Sequence, residues 1–281
     1  MIASARATNE FFCIDAASVL ALVLSPDYIA GKMMIVRALE SGARLLELPV
    51  SNKIEVKEPV DLIAIVPSQI ESLIENDLQA NFIRNVLIGG ASPTKQQCEA
   101  LLSRGYKVYI SYGMTETCSH VALADGADAD RIFHAMPGIS FSTTADGRLV
   151  VNGREFSFNS LETNDVVELC SPTSFRWRGR ADGVINSGGL KFFPEELEAE
   201  YAASLRGWNF YVSSVEDEIW GHAIALVFEG GAADERVLRD LLRSSDIDKR
   251  KLPKRYYAIS HLPRTSNGKV KRIAPDDFAP E

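Results

Sequence analysis

No stretch of the sequence approaches the roughly 18 consecutive apolar residues of a membrane-spanning helix. The opening residues, from Met1 to Phe12, also lack the apolar core of a secretory signal. Cysteine is scarce. Cys13, Cys98, Cys118 and Cys170 stand far apart with no Cys-x-x-Cys pair, and the 4 histidines add no metal-ligand spacing. Nothing therefore points to a disulfide framework or a structural zinc site. Positive charge is in deficit: 30 Lys and Arg stand against 38 Asp and Glu, a net charge of −8, which argues against wholesale nucleic-acid binding. Internal repeats and low-complexity tracts are absent. What remains is an ordinary globular chain, which we expect to be cytoplasmic. Its one locally basic stretch, from Lys249 to Arg272, reads either as a solvated face or as a surface that meets phosphates.

The 281 residues, 46% of them hydrophobic, suffice for one large or two medium domains. Up to about residue 110 the pattern alternates helix and strand. Ser25 and Pro26 look like a helix start and Gly42 like its C-terminal stop. Apolar runs at 61–66, 85–89 and 107–111 read as buried parallel strands. Ser92 and Pro93 open the helix that Gly105 ends. After about residue 135 short apolar segments at 149–151, 156–158, 166–170 and 175–177 alternate with Gly, Asn and Pro, as in an antiparallel region. From Asp182 a third pattern begins, with helices entered at Pro194 and Asp234 and strands at 209–213, 223–228 and 256–259. The expected fold is α/β: a helix-covered, mostly parallel sheet with a small antiparallel β subdomain, then a small mobile α+β lobe. We expect the large domain to occupy residues 1–181 (β-rich over 136–181) and the lobe 182–281.

Three segments carry chemistry. Ser111-Tyr112-Gly113-Met114-Thr115-Glu116-Thr117 follows a predicted strand, and the carboxyl end of a strand in an open α/β sheet is where ligands bind. Thr115 offers a hydroxyl and Glu116 a hard oxygen ligand. Taken alone, this is also what a polar loop after a buried strand looks like. Trp177-Arg178-Gly179-Arg180-Ala181-Asp182-Gly183-Val184-Ile185-Asn186-Ser187-Gly188-Gly189-Leu190-Lys191 combines close glycines with flanking cations. It suits a phosphate-bearing ligand or an exposed hairpin. In Pro263-Arg264-Thr265-Ser266-Asn267-Gly268-Lys269 an Asn-Gly turn would present a lysine at a loop tip, or merely in solvent.

In this order the three segments resemble core motifs of the adenylate-forming superfamily, which includes acyl-CoA synthetases, luciferases and peptide-synthetase adenylation domains. Gly89-Gly90-Ala91 resembles the segment on which adenine rests. Gly147 to Gly153 resembles a Gly-Glu-Leu strand, and Thr163-Asn164-Asp165 a Thr-Gly-Asp motif. The resemblance spans roughly residues 24–272. It implies an AMP-forming acid–thiol ligase working through an acyl-adenylate, with ATP, Mg²⁺ and CoA. By the same resemblance Gly89, Gly90, Ala91, Tyr112, Gly113, Met114, Asp165 and Arg180 would hold the nucleotide. Thr115, Glu116 and Lys269 would be catalytic, Glu116 holding the metal. Asp182 would be a hinge, and Gly188, Gly189 and Lys191 the loop that enters for thioester formation.

The segment from Leu24 to Met33 and the run Thr117-Cys118-Ser119-His120 are similar to superfamily members that act on an aromatic dicarboxylate. One carboxylate would be activated, and Ser119, His120 and Lys32 would hold the other. Two departures from the family pattern stand out. Asn164 replaces a glycine, and the Gly/Ser/Thr-rich phosphate loop that precedes a segment like Arg6-Ala7-Thr8-Asn9 in relatives is not present. We expect on that ground a truncated chain that is a poor or inactive ligase. A ligase for another acid, or a nucleotide- or CoA-binding protein without catalysis, are the alternatives. The expected partners are the acid, ATP and CoA, with no nucleic acid and no membrane span; a homodimer is left open.

Overall fold

A computed structural model describes residues 1–75, 80–153, 158–264 and 270–275. The chain divides into two compact units. Met1–Thr163 with Val167–Trp177 forms one; Asn164–Val166 with Arg178–Glu281 forms the other. None of the described helices is long and apolar enough to cross a membrane.

The first unit opens with helix α1 (Ile2–Phe12). Strand β1 (Val19–Leu22), helix α2 (Ile29–Ser41), β2 (Arg44–Glu47), β3 (Val60–Ile65) and α3 (Ile70–Glu75) follow. Then come β4 (Ile83–Ile88), α4 (Lys95–Leu102) and β5 (Lys107–Met114). The five strands lie in the order β2-β1-β3-β4-β5, all parallel. Side chains alternate across a strand. Leu20, Leu22, Leu62, Leu87 and Ile110 therefore meet Met34, Ala38 and Phe12 on one face. Ala21, Val23, Ile63, Val86 and Val108 meet Ile70, Leu73 and Leu101 on the other. Because both faces are covered, the strands read as continuous apolar runs rather than as alternating ones.

Antiparallel pairing begins with β6 (Ser119–Asp125), earlier than the change in pattern near residue 135 implies. The physical reason is that Val121, Ala122, Leu123 and Ala124 are all buried. A strand buried on two faces is apolar whichever way it runs. β7 (Ile132–Ala135), β8 (Ile139–Thr143), β9 (Arg148–Gly153), β10 (Ser160–Ser171) and β11 (Ser174–Arg180) extend the same ladder as β6-β7-β11-β10-β9-β8. Phe133 and Phe175 stack at 5.4 Å, with Tyr112 and Phe141 edge-on to Phe175. Part of the segment 156–158, read as a strand from sequence, lies outside the described residues.

The second unit contains β12 (Ile185–Ser187), β13 (Leu190–Phe192), α5 (Pro194–Tyr201), β14 (Phe210–Asp217), β15 (Gly221–Glu229), α6 (Asp234–Arg243) and β16 (Arg255–Ile259). Its strands run β13-β12-β15-β14, with β16 parallel to β15. Leu238 and Leu242, four residues apart on α6, are buried together with Leu197, Tyr201, Leu226 and Phe228.

Two helix starts differ from the sequence reading. α2 begins at Ile29 after Tyr28, because Ser25 spends its hydroxyl within its own turn, accepting from the Asp27 amide at 3.2 Å. α4 is capped by Thr94 rather than by Ser92 and Pro93. The Thr94 hydroxyl accepts from the Gln97 amide at 3.1 Å and the Gln97 side chain accepts from the Thr94 amide at 2.9 Å. Thr94→Ala should therefore cost about 1 kcal/mol in denaturant unfolding. Ser92→Ala should cost less than about 0.5 kcal/mol; the reverse order would return the cap to Ser92.

Candidate functional site

In the first unit the carboxyl ends of β4 and β5 lie side by side, with Ile88 paired to Ile110. The Gly89 amide donates to the Ile65 carbonyl at 3.0 Å, and the Ser111 hydroxyl to the Ile88 carbonyl at 3.0 Å. Gly89, Gly90 and Ala91 thus leave the sheet next to the strand that carries Tyr112, Gly113 and Met114. The β5–β6 register shifts between Tyr112 and Gly113. A Cβ at Gly113 would overlap the Ser119 carbonyl and stand 2.5 Å from His120 Cα. Only glycine permits this approach.

Between β5 and β6 the chain turns over Thr115–Cys118. The Thr117 amide donates to the Met114 carbonyl at 3.2 Å and the Cys118 amide to the Thr115 carbonyl at 3.0 Å. Thr117 is fully buried. Its hydroxyl accepts from the Met114 amide at 3.0 Å and faces the Ser119 carbonyl at 2.7 Å. With Thr117 as the inner lock, Thr115 and Glu116 stand exposed at the tip.

Beyond the turn lies a residue that the sequence reading overlooked. Arg37, on α2, is buried to 1% exposure. One terminal nitrogen donates to Ser119 Oγ at 2.9 Å and lies 3.5 Å from His120 Nδ1; the other meets only the sulfur of Met34, at 3.3 Å. Its Nε has no partner, and among the described residues no carboxylate reaches it. Burial pushes the guanidinium down to about 10, so it remains a cation at neutral pH. His120 is also buried; desolvation first, and then the Arg37 charge, hold it well below the ordinary histidine range. Thr8 Oγ1 lies 3.1 Å from His120 Nε2, and Asn9 Nδ2 donates to the Arg37 carbonyl at 2.9 Å. Lys32 is exposed on α2; Arg37, rather than Lys32, reaches Ser119 and His120. The signal for Arg37 in the sequence would have been an arginine amid an apolar helix pattern, Met33-Met34-Ile35-Val36-Arg37.

In the second unit Asp165 is 8% exposed, and Arg180 Nη1 lies 4.0 Å from its carboxylate. Arg180 forks onto Asp182 through two contacts of 3.2 Å. That pair holds the Asp182 carboxyl below its usual range, and the Asn164 side chain also bonds to it. Gly188 and Gly189, with φ of 58° and 79°, form the two-residue turn of the β12–β13 hairpin. Lys191 is exposed on β13. Thr265 to Lys269 lie outside the described residues. Their flanks are joined by an antiparallel bridge between Arg264 and Val270. Arg272 bonds Glu195 at 3.2 Å and Glu198 at 2.6 Å.

The AMP-binding enzyme family model matches residues 1–143, and the chain belongs to that family. A 2-succinylbenzoate–CoA ligase of Staphylococcus epidermidis is 24% identical over 302 residues. That match covers 96% of this chain, and the chain spans 64% of the length of that relative. Among solved structures, an acyl-CoA synthetase (AMP-forming)/AMP-acid ligase II-like protein from Dyadobacter fermentans is 30% identical, with a TM-score of 0.62 over 96% of this chain and 81% of its own. The o-succinylbenzoate CoA synthetase of Bacillus subtilis, in complex with its acyl-adenylate intermediate, shares the fold at a TM-score of 0.78 and 21% identity, over 95% and 62% of the two chains.

Thr117→Val keeps the buried volume but removes the hydroxyl, leaving the Met114 amide and the Ser119 carbonyl short of a partner. It should cost about 1–3 kcal/mol of stability. Chemical denaturation with unchanged stability would show that the hydroxyl does not hold the turn.

Proposed function

We propose that the chain serves an ATP-dependent carboxylate–CoA ligase that works through an acyl-adenylate, with 2-succinylbenzoate, the o-succinylbenzoate of menaquinone biosynthesis, as its acid. The observation that carries this reading is Arg37. A buried guanidinium with an unpartnered Nε and no carboxylate neighbour is a strong anion receptor, and Arg pairs with carboxylates through two parallel N–H groups. It sits behind the turn that presents Thr115 and Glu116, so a dicarboxylate would place one end on Arg37 and the other towards that turn. This is the polar tail expected from the sequence, with Arg37 in place of Lys32.

In the first half-reaction a carboxylate oxygen attacks the α-phosphorus of ATP. A C–O–P linkage forms, and pyrophosphate leaves with the electron pair of the broken P–O bond. The CoA thiol then attacks the acyl carbon, AMP departs and the thiol proton passes to solvent. Thr115 would donate its hydroxyl to an α-phosphate oxygen. Among the described residues no cluster of three acidic, histidine or cysteine side chains could hold a metal unaided. Glu116 alone nonetheless fits Mg²⁺, which is commonly held by one or two carboxylates together with substrate phosphates and water. Bound there, Mg²⁺ would supply charge neutralisation for the phosphates. Asp165, buried beside Arg180, would accept from the ribose hydroxyls. Asp182 would be the hinge residue, and Gly188, Gly189 and Lys191 would act in thioester formation. Lys269 would supply positive charge to the first half-reaction only.

ATP–pyrophosphate exchange tests the reading. Exchange should depend on 2-succinylbenzoate, and Arg37→Met should raise the KM for that acid by about 10- to 100-fold, the weight of a hydrogen bond to a charged group. KM for ATP should not move, and thermal unfolding should confirm that the variant is folded. Absence of exchange with every acid tried would leave a nucleotide-binding protein without catalysis. Separately, in a version that carries the phosphate loop, Lys269→Ala should nearly abolish adenylate formation yet spare thioester formation from preformed acyl-adenylate; equal loss in both halves would remove Lys269 from its assigned role.

A further inference from the structure

The hydrogen bonds around His120 favour one direction. The Thr8 hydroxyl donates to the Ser4 carbonyl at 2.9 Å. A hydroxyl has a single proton, so towards His120 Nε2, 3.1 Å away, Thr8 Oγ1 can only accept. Nε2 then carries the imidazole proton and Nδ1 presents its lone pair. On that side Arg37 donates to Ser119 Oγ at 2.9 Å, which leaves the Ser119 proton for Nδ1 at 3.4 Å. The order is Arg37 to Ser119 to His120 to Thr8 to the Ser4 carbonyl, each hydroxyl accepting once and donating once. The opposite tautomer would aim an N–H at a guanidinium 3.5 Å away that has no acceptor to offer. It would also require Thr8 to give up its helix carbonyl. An imidazolium would stand against a buried cation, and burial and Arg37 both disfavour it.

We propose that Thr8 and Ser119 lock His120 as the neutral Nε2–H imidazole, and that this imidazole is a positioning residue that fixes the Arg37 guanidinium with its Nε edge free for an anion. The proposal rests on the reading that Arg37 receives the second carboxylate of the substrate. It changes the roles expected from the sequence: Ser119 and His120 give nothing to the substrate, because their protons are spent on each other and on Thr8. Discrimination for an anionic tail then extends back to α1, a helix that touches the acid only through this chain of bonds.

Two measurements decide it. In long-range ¹H–¹⁵N spectra of the native protein, the imidazole signal lost in His120→Gln should show a protonated Nε2 and a bare Nδ1. It should stay unchanged from about pH 8 to about pH 6, across the range where an ordinary histidine titrates. Thr8→Val removes the acceptor at nearly constant volume. It should disturb that signature and raise the KM for 2-succinylbenzoate about tenfold, with kcat within about twofold and the KM for benzoate unchanged; Thr8→Ser should restore all three. A protonated Nδ1, an imidazolium at neutral pH, or a Thr8→Val protein with native spectrum and native KM would overturn the lock. If the native protein handles 2-succinylbenzoate and benzoate alike, the Arg37 substrate reading falls, and the imidazole spectra alone then decide the tautomer.

Discussion

The first unit buries a cation, Arg37, that no carboxylate among the described residues reaches. Burying a guanidinium without a carboxylate is costly, and the fold offsets only part of that cost with hydrogen bonds. Ser119 Oγ, Met34 Sδ and His120 Nδ1 meet the terminal nitrogens, while Nε is left without a partner. On the proposed reading, a carboxylate of the substrate would supply the missing partner. The surrounding structure conforms to this requirement. α1 packs on α2, with Ala7 and Phe12 beside Met34 and Ala38, and α2 carries Arg37 within a largely apolar stretch. Ser4 Oγ and Asn9 Oδ1 are also buried without partners, so the unsatisfied polar atoms of this unit gather on the same pair of helices.

The same constraint joins the anion receptor to the exposed turn. Ser119 bonds Arg37 through its side chain and Thr117 through its carbonyl, and Gly113 admits Ser119 and His120 to backbone contact with β5. One short stretch of β6 therefore sets both the place of the cation and the place of Thr115 and Glu116. A substrate that spans the two meets groups fixed on one rigid sheet, which is where preorganisation is most effective. In the second unit a separate network holds Asp165, Arg180 and Asp182 together. Asn164, the residue that departs from the family pattern, lies beside this network, and its side chain adds to the effects that hold the Asp182 carboxyl below its usual range.

How much of this was legible in the sequence depended on where each signal resides. The parallel strands were readable because two covered faces leave continuous apolar runs, as in Leu62 to Ile65. α6 was readable because Leu238 and Leu242 repeat at the helical period on an otherwise polar segment. The starts of α2 and α4 were not, because several residues compete to cap, whereas α5 and α6 begin at Pro194 and Asp234 as read. Only the folded chain shows that Ser25 closes its own turn and that Thr94, two residues past Ser92, finds Gln97. α1 left no hydrophobic signature at all. Its buried residues are Ser4, Ala5, Ala7, Thr8, Asn9 and Phe12, and three of those six are polar.

That polarity is itself informative. A helix face that is buried and polar has to bond something, and on α1 the partners are the Arg37 carbonyl and the His120 ring. Arg37 escaped the sequence reading for the complementary reason. Within Met33 to Ala38 it resembles an interrupting surface charge, and nothing local shows that the position is interior. Periodicity marks hydrophobic cores and is blind to polar ones, since the latter are defined by pairings between distant segments: residues 8, 37 and 120 here. The motif Tyr112 to Thr117 leads into the turn between β5 and β6, and in the proposed tautomer the donors just past it are occupied by one another. A buried donor is available to a ligand only when no internal acceptor has claimed its proton. On the proposed reading Arg37, and neither Ser119 nor His120, is the group left to bind an anion.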